Sequence, residues 1–114
     1  MGDITKDLLM NFKEFLTSAE KDLQEQRYNP AISSYFKAIA ILCDYQIYQS
    51  RGLLPKNHRE RFLFLEVHFK EAYDLISPLF REYTDSYNLR IQKEQVMRLK
   101  KSVEELKRIF SIKE

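Results

Sequence analysis

Apolar residues recur at Ile4, Leu8, Phe12, Phe15, Leu16, Ala19 and Leu23, intervals that match one face of a helix. Lys6, Lys13, Glu14, Glu20 and Lys21 supply the opposite, wet face, so the pattern predicts a helix from Asp3 to about Gln26. Gln26-Arg27-Tyr28 reads as a tight connection, which implies an antiparallel neighbour. Asn29 has the chemistry of an N-cap, and Pro30 suits a first helical position because its missing N–H costs nothing there. From Ala31 to Tyr48 the apolar residues cover most of the helix circumference, the pattern of a helix buried in the middle of a bundle. Gly52 falls where a left-handed cap belongs, and Pro55 forbids continuation.

Asn57 and Glu60 have capping-box spacing, so a third helix is expected from about Asn57 to Ile76. It has two apolar faces, which fits either a helix that meets a partner subunit or one that is buried all round. Ser77-Pro78 breaks or kinks it, residues 79–83 continue as a short helical piece, and Thr84 to Asn88 reads as a turn. In a last helix from about Leu89 to Phe110, Val96, Leu99, Val103, Leu106 and Phe110 form the narrow seam of a helix packed nearly parallel to its neighbours. No strand pattern competes. The expected fold is all-α, an antiparallel up-and-down bundle of four to five helices, one domain over residues 1–114.

Composition agrees with a soluble globular chain: hydrophobic content is 44%, charged content is 32%, and two glycines and three prolines leave room for long helices. Cys43 is the only cysteine and sits in the apolar helix body, where it reads as a small core residue. Charged residues interrupt the N-terminal apolar positions, no run reaches membrane-spanning length, and a cytoplasmic protein without a membrane partner is expected. Net charge is +2, yet from Asn88 onward 8 basic residues face 4 acidic ones. Such a helix end can face a phosphate backbone or simply be solvated.

Few residues suggest chemistry. His58 and His68 are ten residues apart without a metal-binding spacing, and no glycine-rich loop exists to cradle a nucleotide, so neither a metal nor a cofactor is expected. The exception is Arg81, Asp85 and Tyr87, beside Tyr83 just after a proline break. An Arg81–Asp85 ion pair could pin the bend, or the guanidinium could grip phosphate.

Taken in order, Arg27-Tyr28 at a helix start, Ala31-x-x-x-Tyr35-Phe36-x-Ala38, Gly52, Pro55-Lys56-Asn57-His58, Arg81-x-x-x-Asp85-x-Tyr87 and a final long helix form a pattern. It resembles the HEPN domain in its small stand-alone archaeal or bacterial form, over residues 5–110. The resemblance implies a helical bundle that commonly forms a homodimer, often pairs with a minimal nucleotidyltransferase, and binds RNA or nucleotide. Many such proteins are metal-independent endoribonuclease toxins of toxin–antitoxin systems, with an arginine and, four to six residues on, a histidine. Here Arg81 is present at the matching bend, but Tyr87 stands where the histidine would be, and tyrosine is a poor proton carrier near neutral pH. Looser matches are Arg51 with His58 across a loop and Arg61 with His68, two turns apart at about 10 Å on a regular helix. The resemblance therefore implies either a non-catalytic or weakly active dimeric module, or a nuclease using Arg81 with Tyr87 or Arg51 with His58.

Overall fold

A computed structural model describes residues 3–112. The elements are α1 (Ile4–Gln24), α2 (Tyr28–Arg51), α3 (His58–His68), α4 (Lys70–Ile76), α5 (Leu79–Asp85) and α6 (Lys93–Ile109), with no strand among the described residues. None of the described helices is long and apolar enough to cross a membrane.

The apolar circumference of α2 has the consequence its pattern predicts. Ala31, Ile32, Tyr35, Phe36, Ala38, Ile39, Leu42, Cys43 and Ile47 are all buried, and α1, α3, α5 and α6 pack around them. The helix ends at Gly52, whose φ of 72° is the left-handed conformation that costs glycine least. On α6, Val96, Leu99, Val103, Leu106 and Phe110 are likewise all buried, so the alternating three-and-four spacing marks the seam. Burial also pushes the Cys43 thiol up, which makes it a core residue rather than a nucleophile.

Four boundaries differ from expectation, the smallest being that α5 runs on through Thr84 and Asp85 before the turn. Asn29 does not cap α2: the helix starts at Tyr28, and the Asn29 side chain reaches the connection between α5 and α6. Its amide donates to the carbonyls of Ser86 and Leu89 at 2.7 Å each, and its oxygen accepts from the Ile91 amide at 3.1 Å. Pro30 still lies in the first turn, where its lack of a donor does no harm. The third helix is two helices, because Phe69 leaves helical geometry at φ −139°, ψ 63°. That turn lets the Phe69 ring meet Phe110 edge-on at 5.8 Å, joining the start of α4 to the end of α6. The last helix begins four residues late, at Lys93, where Gln92 and Gln95 form a reciprocal capping box. Asn57, by contrast, caps α3 as its spacing predicts, accepting from the Glu60 amide at 2.9 Å.

Candidate functional site

The residues named from the sequence fall into three groups. Arg81, Asp85 and Tyr87 do not form one cluster. The Arg81 side chain is 88% exposed, and its Nε stands 3.9 Å from Asp85, the limit of an ion pair. The Tyr87 hydroxyl turns away to the Tyr83 hydroxyl at 2.9 Å. That hydrogen bond, with burial behind it, pushes the Tyr83 phenol up to about 12, so it keeps its proton at neutral pH. Arg81 is sterically free to take an anion, but no proton carrier is hydrogen-bonded beside it.

The other two groups exchange the partners that sequence spacing suggests. Arg61 is buried, and its Nε and Nη2 donate to the two carboxylate oxygens of Asp44 at 2.7 and 2.9 Å. Its Nη1 lies 2.6 Å from Nδ1 of His58, not near His68. Since a guanidinium only donates, His58 accepts at Nδ1 and carries its proton on Nε2. The imidazole is enclosed by rings: Phe80 at 5.2 Å, Phe36 at 5.7 Å and Tyr83 at 5.8 Å, all edge-on. Burial holds the His58 pKa below its ordinary value, the Arg61 charge lowers it further, and Asp44 opposes them. His58 therefore belongs to a closed structural network and does not pair with Arg51.

Arg51 instead reaches His68. Its Nη2 lies 2.9 Å from the His68 Nδ1, and both residues are exposed. An open guanidinium–imidazole pair can hold phosphate and offer Nε2 as a proton carrier. The pair borders an apolar face. Leu53, Pro55, Glu60, Leu63, Phe64, Val67 and His68 line a shallow groove of about 270 Å³. Leu63 is 59% exposed and Val67 65%, so α3 is not buried all round and its second apolar face is open.

Asp44 was not a sequence candidate. The signal was there: a lone carboxylate inside the apolar run from Ala38 to Ile47 needs a charged partner if it is covered. Among the described residues, no three of the histidine, cysteine, aspartate and glutamate side chains gather where they could hold a metal ion. No family model matches the chain, and neither a curated protein nor a solved structure matches it.

Proposed function

We propose that this protein is a HEPN-like helical module that works as a homodimer and binds nucleotide or RNA, alone or with a minimal nucleotidyltransferase, without cleaving it. The observation that carries this reading is the open apolar face of α3. Leu63 and Val67 stand one helical turn apart beside Leu53, and exposed apolar side chains at that spacing mark a helix that meets another surface. The face is also self-complementary in charge. Arg59 and Glu66 are exposed at opposite ends of the stripe, seven residues apart and so on one side of the helix. A second copy of α3 crossing antiparallel sets Arg59 beside the partner subunit's Glu66, and the reverse, as a two-fold interface requires.

Light scattering at high micromolar concentration should report a dimer, and Leu63→Lys with Val67→Lys should convert it to a folded monomer. A wild-type monomer under those conditions overturns the reading. Metal-independent RNA cleavage is the second reading, favoured by the exposed Arg51–His68 pair on the rim of the same face. Labelled single-stranded RNA incubated with the purified protein and a chelator should stay intact. Cleavage that disappears in His68→Ala would replace the first reading with the second.

A further inference from the structure

Both α1 and α6 pack on α2, and a furrow runs between them. Helical periodicity builds its walls. Glu20, Lys21 and Gln24 share one face of α1, while Lys93, Met97 and Lys100, spaced four and three, share one face of α6. Tyr28, at the start of α2, and Gln26, in the preceding turn, also line it. The furrow holds about 690 Å³, within the range of about 300–1,000 Å³ common for small-molecule sites.

Its charge is lopsided. Lys21, Lys93 and Lys100 face one carboxylate, that of Glu20. Of the acids next to them in sequence, Asp22 and Glu25 are taken by Arg27 at 2.8 and 2.6 Å and Glu104 by Lys107 at 3.5 Å, and Glu94 does not line the furrow. Lys93 is the first residue of the 17-residue α6, where the helix dipole disfavours a cation. Two like contributions, lysines and dipole, therefore add up at one place.

A second feature points to the same furrow. Gln26 has φ 61°, the left-handed region, at the position where a helix end normally takes glycine. The surrounding hydrogen bonds are those of that cap: Arg27 N–H donates to Asp22 C=O at 2.8 Å and Gln26 N–H to Leu23 C=O at 3.1 Å. Glycine would make the same turn without strain but without an amide side chain in the furrow.

We propose that this furrow binds a nucleotide, with phosphate on Lys21, Lys93 and Lys100 and the base against Tyr28 and Met97. Lysine ammonium groups meet phosphate as mobile point charges, and a tyrosine face accepts any base by stacking. Glu20 and Gln26 supply an acceptor and an amide for ribose hydroxyls and base edges. The same chemistry serves a free nucleotide or one unit of single-stranded RNA. The inference rests on the reading of the chain as a binding module, and its site shares no residue with the α3 face.

The test uses two fluorescent probes, a labelled adenosine triphosphate and a labelled short single-stranded RNA, with light scattering on the same samples. Anisotropy should show binding of at least one probe, and Lys93→Glu with Lys100→Glu should weaken it at least about tenfold. Tyr28→Leu should weaken it too, and Leu63→Lys should leave it unchanged. Equal affinity for both probes assigns a free nucleotide. Binding of RNA alone, with a salt slope that flattens in the lysine variant, assigns a strand. The proposal is overturned if neither probe binds, if the folded lysine variant binds like wild type, or if pyrophosphate competes as well as the nucleotide. Should the double variant not fold, Lys100→Gln alone is held to the same comparison. A monomer that binds keeps this proposal and removes the homodimer from the reading above; a dimer that binds neither probe keeps the homodimer and removes both this proposal and the nucleotide or RNA ligand of that reading.

Discussion

Arg61 with His58 and Arg51 with His68 are the same two side-chain types in nearly the same contact, at 2.6 and 2.9 Å. One pair is enclosed by aromatic rings and anchored to Asp44; the other is open to solvent on the rim of an apolar groove. Chemistry on paper is equal, and burial separates them. The enclosed pair fixes α3 against α2, because a covered guanidinium must keep its carboxylate. The open pair can exchange its contact for a ligand at little cost to the fold.

Breaking the enclosed network should have the largest effect. Asp44→Ala strands a covered guanidinium and should destabilise by about 3–5 kcal/mol in urea melts. Replacing both partners, Asp44→Leu with Arg61→Met, should cost less than either single change, since no charge is then left uncompensated. A double variant as unstable as the sum of the singles would show that the ion pair does not account for the cost.

The next effect is a pH slope. The His58 pKa is depressed in the fold, so the fold favours neutral imidazole. Its contribution is complete above the unfolded pKa of about 6.5 and is lost as pH falls through the lower folded value. Stability should therefore drop on acidification below about pH 6.5, and His58→Gln should remove that part of the slope. Chemical denaturation at several pH values reads it directly, and an identical slope in the variant would contradict the assignment. Smallest of all are the exposed arginines. Arg51→Ala and Arg81→Ala should each change stability by less than about 1 kcal/mol, measured in the same melts. A larger loss at Arg81 would mean that the long contact with Asp85 does pin α5.

What the sequence shows and hides follows the same division between local and distant causes. The burial of α2 and the seam of α6 are visible because helical period alone puts Ile32, Ile39, Val96 and Val103 inside. The break at Phe69 is not, because no glycine or proline marks it and its partner, Phe110, is far along the chain. Asn29 misleads for the same reason: a good capping residue is used instead across more than fifty positions. Residue spacing offers Arg51 with His58 and Arg61 with His68, whereas the turn of α3 and its approach to α2 join the other combinations. The furrow lysines carry only a faint signal, a cationic stripe at helical spacing, until α1 supplies the opposite wall.

The hold of Asn29 on the segment before α6 reaches beyond geometry. Its side chain grips the Leu89 carbonyl and the Ile91 amide, the groups on either side of the exposed Arg90. A trypsin-like protease must draw that backbone into an extended strand to cut after Arg90, and it cannot do so while the grip holds. The rate of nicking there thus counts the moments when Asn29 lets go, and gives a clock for the local opening of the loop that leads into α6 while the packed helices stay in place.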